Sequence, residues 1–343
     1  MRKILALILA LACLTVAFVG CAPAKSDTTE PSQAPSASAS ESASEPATSE
    51  AKTFRVAYIA RAQADSFAAW LANSIVEEAD KYDDITVDVF DGQASDDKEN
   101  SLIENAITNK YDAIVIQPNN GEAQRPYAEK AVKAGIVTIT TNARISGIEG
   151  ASSVDADPYA QAAVNAQLAL EQVPENANVV VLNGPPGNFH ADQRRKSWQA
   201  EFFDKRPDVK IVGEEIANWN KDEAMNAMEV WVQANDSIDA IISMNDNMAA
   251  GALEAVKDNA KFANILAYGV DGTAEACLLI KDGKMTSTSL QSAYALAEKI
   301  LDTLEKLLTG EETQIDTDID CPLITKDNVD QYIEMHKKAG AIK

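Results

Sequence analysis

The chain has 343 residues, 46% hydrophobic and 24% charged, with a formal net charge of −23. That length can bury two real cores. The acid excess argues against DNA, RNA or an anionic membrane as the main partner, because Lys and Arg must neutralise phosphates there. Two histidines leave little material for a His-based metal site or a histidine relay.

Arg2 and Lys3 form a short basic start, and Ile4 to Val19 is a nearly unbroken apolar run. The run is short for a spanning helix and has the shape of a secretory signal. It ends in Phe18-Val19-Gly20-Cys21, which resembles a bacterial lipobox with Phe18 where Leu is usual. Residues 1–20 are therefore expected to be a signal peptide, with lipid on Cys21. A membrane anchor with an incidental Cys is the alternative, but no stop-transfer charge cluster follows. Residues 22–52 are rich in Ser, Ala and Pro and lack large apolar side chains. Such a segment cannot offset its ordering entropy by burial, so 21–53 reads as a lipidated, disordered tether.

From Phe54 the pattern alternates. Strand candidates are 54–60, 85–90, 113–117, 137–141, 178–183, 209–216, 239–245, 265–270 and 285–290. Helices fit 66–81, the segment around Leu102–Ile107, 122–134, 158–172, 190–205, 221–235, 247–258, 273–282, 292–309 and 326–338. Strands alternating with helices of this length imply α/β architecture with doubly wound parallel sheets. That many strands fit two sheets in two lobes better than one. Cys277 and Cys321 remain after processing and are expected as free buried thiols rather than a disulfide. The alternating carboxylates of 316–320 suggest a solvated strand face, not a cation loop. His336 in the last helix is expected at the surface.

No GxGxxG, Walker A, HExxH or GxSxG string occurs, which lowers the prior for the commonest enzyme sites. In open α/β sheets ligands sit beyond the carboxyl ends of strands. Asp65 and Phe67, Asn142 and Arg144, Asn188, His190 and Arg194, Trp219, Asn245 and Asp246, Asp271 and Gln291 follow strand candidates. Carboxylates, amides, Arg and large aromatics suit a polyhydroxyl ligand. Asp246 and Asp271 could instead cap helices or make turns.

The strings NDNMAAGALEAV (245–256), YGVDGTAEACLLIKDGK (268–284) and TSTSLQ (286–291) resemble the ribose/galactose-type periplasmic sugar-binding protein family, over about 54–343. The resemblance implies a type I periplasmic binding protein fold: two lobes joined by three crossing strands, with the ligand in the cleft between them. It implies an N-terminal lobe of 54–156 plus 292–320 and a C-terminal lobe of 157–291 plus 321–343. Carried over by position, Asp65, Phe67, Asn142, Arg194, Trp219, Asn245, Asp271 and Gln291 match ligand contacts. Asp65 to Phe67, Asn142 and Trp219 resemble the glucose/galactose version more than the ribose version. Asn188 and His190 depart from it, and the match does not assign Arg144; pointing inward, Arg144 would add a positive group. The calcium loop of the galactose version has no counterpart in 171–178, so no metal or cofactor is expected. The implied function is a monomeric, lipid-anchored sugar- or polyol-binding subunit of an ABC importer, with the permease as partner. A sensory module reporting to a chemoreceptor or receptor kinase is the alternative. A hydrolase using Asp65 and Asp271 is a third and weaker reading.

Overall fold

The computed structural model describes residues 53–343. The expected signal peptide, Cys21 and the tether lie outside the described residues.

The chain runs β1 (Phe54–Ala60), α1 (Ser66–Ala79), β2 (Ile85–Asp91), α2 (Asp96–Thr108), β3 (Ala113–Ile116), α3 (Gly121–Lys133), β4 (Val137–Thr141) and β5 (Ala151–Ala156). It continues through α4 (Pro158–Gln172), β6 (Asn178–Asn183), α5 (Phe189–Glu201), β7 (Lys210–Ile216), α6 (Lys221–Ala234), β8 (Ala240–Ser243), α7 (Asp246–Val256), β9 (Leu266–Asp271), α8 (Ala274–Lys281) and β10 (Ser287–Leu290). It closes with α9 (Ala293–Thr309), β11 (Asp316–Ile319), β12 (Leu323–Thr325) and α10 (Val329–Lys338).

Two sheets form, in the orders β11-β5-β4-β3-β1-β2 and β12-β10-β9-β8-β6-β7. Every pairing is parallel except that of β10 with β12. The chain passes between the sheets three times, from β5 to α4, from β10 to α9 and from β11 to β12.

The continuous apolar runs have a physical cause. A parallel strand covered by helices on both faces must be apolar at every position. In β1, Val56, Tyr58 and Ala60 join the core under α1 and α9. Ala57 and Ile59 join the opposite core with Ile103 of α2 and Ala128 of α3. The second sheet is buried in one large core that includes Val179 to Leu182, Trp198, Met228 and Trp231. Among the described residues no helix is long and apolar enough to cross a membrane.

Two strands lie beyond the expected set: β5 and β12. β5 is buried throughout although it reads ASSVDA. Its serines find partners far along the chain: Ser152 Oγ accepts from Ile315 N at 2.9 Å and Ser153 Oγ donates to Asp316 at 2.8 Å. β11 has the exposed alternate face expected for 316–320. Both described cysteines are free; Cys277 is buried, but Cys321 is only partly so. His336 is not at the surface. It is buried at 1% exposure, beneath the Trp70 ring at 5.0 Å, with Nε2 against Gly272 O at 2.9 Å.

Candidate ligand-binding site

The carboxyl ends of both sheets face one narrow cavity, lined by Arg61, Phe67, Asn142, Asn188, His190, Arg194, Trp219, Asn245, Asp271 and Gln291. All ten residues are at most 6% exposed. The lobes are therefore closed over it.

Helix starts place several of these groups. Asn245 caps α7 through Oδ1, accepting from Met248 N at 2.9 Å. Asn188 caps α5 in the same way, from Ala191 N at 3.2 Å, while its amide reaches across to Asn119 O at 3.1 Å. In both, one side-chain oxygen satisfies an orphan helix donor; the Asn245 amide NH2 stays available, whereas that of Asn188 is spent on the opposite lobe. Strained backbone aims others: Asn142, Ala143, Trp219 and Asp271 have φ of 49°, 129°, 62° and 128°. Each such conformation costs of order 1–3 kcal/mol and concentrates where function needs a side chain re-aimed. Gly184 makes room for the Trp219 wall, because a Cβ there would lie 2.2 Å from the ring.

Arg194 organises the second-lobe side. Its guanidinium donates to Gln161 Oε1 at 2.8 and 3.1 Å and to Met244 O at 2.8 Å. It also meets His190 Nδ1 and Gln291 Oε1, each at 3.2 Å, and lies 3.9 Å from Asp271. Burial pushes the Asp271 carboxyl well above the usual range; Arg194 opposes this and the Asp246 carboxylate adds to it. A hydroxyl donating to Asp271 would favour its charged form. His190 Nε2 lies 2.8 Å from Asp155 of the first sheet. Arg194 donating to Nδ1 fixes a neutral ring with the proton on Nε2, and burial lowers the His190 pKa accordingly.

Nine of the eleven candidate ligand contacts line the cavity. Asp65 and Arg144 do not. Asp65 stands behind Arg61, with Oδ1 capping α1 at Ala68 N (2.8 Å) and bound to the Arg61 guanidinium at 2.9 Å. Arg144 points away from the cavity, held by Asp318 of β11 and by Asp155 at 3.4 Å. The positive group considered for Arg144 is supplied by Arg61 instead. Arg61 directly follows β1, a strand-end position passed over in favour of Asp65 and Phe67 further along the loop. Gln161 and Gln117 were missed for different reasons. Gln161 lies inside α4 with no positional signal, and Gln117, just past β3, works behind the wall by donating to Asn142 Oδ1 at 2.7 Å. Asp246 is structural: it accepts from Thr273 N at 2.9 Å and Thr288 Oγ1 at 2.6 Å.

Several buried polar atoms around the cavity have no protein partner: Arg61 Nε, Asp65 Oδ2, Asp271 Oδ2 and Gln291 Nε2. Leaving one such group unmade costs about 1–3 kcal/mol. Two α/β lobes closed over a small, polar, under-satisfied cavity define a solute receptor of the type I periplasmic binding protein fold.

The comparisons agree. The model of the periplasmic binding protein domain matches residues 56–312, and the chain belongs to that family. Its relatives are of the ribose/galactose type. It is 31% identical over 235 residues to a xylitol-binding protein of Mycolicibacterium smegmatis, covering 68% of this chain and 67% of that one. A solved ABC transporter periplasmic solute-binding protein from Actinobacillus succinogenes, with bound D-allose, is 29% identical at a TM-score of 0.75, covering 82% of this chain and all of that one. A galactofuranose-binding protein superposes at a TM-score of 0.78 and 23% identity, over 84% of this chain and 99% of that one, which speaks for the fold. Members of this family are binding proteins rather than enzymes, and the family is extracytoplasmic.

Proposed function

We propose that the protein captures one neutral sugar or polyol and delivers it to an ABC importer, working as a monomer tethered to the outer face of the cell membrane by lipid on Cys21. The observation that carries this is the set of unpartnered polar atoms contributed to one sealed cavity by both lobes. A ligand that satisfies those lining the cavity, Arg61 Nε, Asp271 Oδ2 and Gln291 Nε2, stabilises the closed form over the open one. Arg61 faces Asp65 and Arg194 faces Asp271, so the positive groups are matched and a neutral ligand suits the site. Relatives that bind xylitol, D-apiose and ribose support the ligand class. Glycoside hydrolysis would need two carboxylates flanking one bond. Asp65 is committed to Arg61 and the start of α1, which weighs against that reading.

A thermal-shift screen over pentoses, hexoses, pentitols and cyclitols, with tryptophan fluorescence as second readout, tests the proposal. A binding ligand should stabilise by about 2.7 kcal/mol at 100 times its Kd. It should also change the emission of Trp219 and be recovered unaltered. A folded protein that none of these compounds shifts would overturn the reading.

A further inference from the structure

We propose that Gln117 is a positioning residue that fixes the hydrogen-bond polarity of the cavity. It turns the Asn142 amide so that the site reads its ligand through donors, with Asp271 as the one lining side chain that accepts. This rests on the sugar- or polyol-binding reading. It goes further by assigning which way the ligand's hydroxyls bond and the residue that sets the first-lobe contact.

An amide's orientation is settled once one of its ends meets a group that can only donate. Each of the three amides open to the cavity has such an anchor. Gln117 is fully buried, and its Oε1 accepts from the Arg61 backbone N–H at 3.2 Å. The Tyr58 hydroxyl reaches the same oxygen at 3.2 Å. Gln117 Nε2 must therefore be the donor to Asn142 Oδ1, at 2.7 Å. The Asn142 oxygen is thereby held in the wall and its NH2 is left for the cavity. Asn245 reaches the same state through its helix cap, where Oδ1 accepts from Met248 N at 2.9 Å. Gln291 Oε1 accepts from Arg194 Nη2 at 3.2 Å and from Gln161 Nε2 at 2.8 Å, and Gln291 Nε2 has no protein partner.

The other lining groups deepen the bias. Arg61, Arg194 and the Trp219 indole can only donate, and Arg61 Nε and Trp219 Nε1 have no protein partner. His190 spends both ring nitrogens, on Arg194 and on Asp155. Asn188 spends its oxygen on Ala191 N and its amide on Asn119 O. Asp271 Oδ2 is left as the free acceptor among the side chains that line the cavity. An enclosed ligand therefore gives protons to Asp271, from one hydroxyl or two adjacent ones, and offers lone pairs to the rest.

The test takes whichever of D-ribose, D-allose, xylitol and myo-inositol binds tightest, with its monodeoxy and monofluoro derivatives at each hydroxyl. Fluorine accepts weakly and donates nothing; hydrogen does neither. A deoxy derivative that leaves a buried partner unmade should bind roughly five- to a hundredfold more weakly. Opposite an N–H donor, the fluoro derivative should recover part of that loss. Opposite Asp271 it should bind more weakly than the deoxy one, because the C–F dipole repels the carboxylate. Gln117→Glu, ionised at pH 8, keeps the acceptor for Arg61 N–H and loses the donor to Asn142, whose amide then turns its oxygen inward. Asn142→Asp places an oxygen there directly. In either variant the fluorine advantage should vanish at one position and persist at the others.

Fluorine weaker than hydrogen at two non-adjacent positions of the wild-type map would overturn the donor polarity. A fluorine pattern unchanged in both folded variants would overturn the role of Gln117. Both results leave sugar binding intact. Wild-type binding to none of the four parent compounds would remove the sugar reading and this proposal with it. The variants act from opposite ends of one hydrogen bond, so either alone decides, and if neither folds the wild-type map does.

Discussion

Replacing Asp271 by Asn, or Arg194 by Gln, should remove the ligand-induced thermal shift at ligand concentrations that saturate the wild type. Arg194 is the hub of the second-lobe wall, with partners on α4, α5, β10's end and the β8–α7 junction. Truncating one member of a buried, hydrogen-bonded charge pair costs about 2–5 kcal/mol of binding. That corresponds to a loss of affinity of roughly 30- to several-thousand-fold. Asp271→Asn keeps the side chain's shape, and Asn tolerates a positive φ at least as well as Asp. The unliganded variant should therefore stay folded, and circular dichroism with the unliganded Tm checks this. A folded Asp271→Asn protein with undiminished affinity would show that this carboxylate does not touch the ligand.

The second large effect expected is a loss of affinity in acid, carried by His190. The ring bridges the lobes: Asp155 comes from the end of β5, and Arg194 from its own helix α5. The other charges that act on it are Arg61 across the cavity and Arg144, which shares Asp155. Burial is the largest influence and lowers the pKa from the ordinary 6.5; Asp155 partly offsets it, while Arg194 and Arg61 add to it. An opened molecule with a solvated His190 therefore takes up the proton first as pH falls. Closure is favoured in full above about 6.5 and weakens below it, by up to tenfold in affinity per pH unit for a single proton. Asp155, whose pKa is lowered, acts in the same direction at more acid pH. Asp271, raised by burial in the closed cavity, acts oppositely, because the closed form holds its proton more tightly. The informative quantity is thus a difference. Titrating ligand affinity from pH 8 to 5 should give His190→Asn a slope shallower than the wild type by close to one proton. Identical slopes would show that His190 does not report on closure.

Much of this architecture was legible because parallel strands covered on both faces must be apolar throughout. FRVAYIA and NVVVLN could be little else once helical patterns flanked them. β5 was illegible for the complementary reason. Its interior serines are satisfied by residues 315 and 316, more than 160 positions away, so nothing local marks ASSVDA as a buried strand. The site followed the same division. Residues displayed by strand ends and helix caps, such as Asn245 and Asp271, were readable from position. Orientation was not. Arg144 and Arg61 both follow strands, and only the neighbouring carboxylates decide which one turns inward: Asp318 and Asp155 draw Arg144 out, and Asp65 holds Arg61 in. His336 sits in a charged terminal helix and is buried only because Trp70 and Tyr294 of the other lobe cover it.

The most direct test of solute capture between the lobes is a crystal structure of the protein with the compound that gives the largest thermal shift. The expected result is one ligand molecule enclosed between Phe67 and Trp219, with its hydroxyls on Asp271, Arg194, Asn245 and Gln291 and one oxygen on Arg61. Ligand bound instead in the groove beside Trp70 and His336, with the enclosed cavity unoccupied, would contradict it.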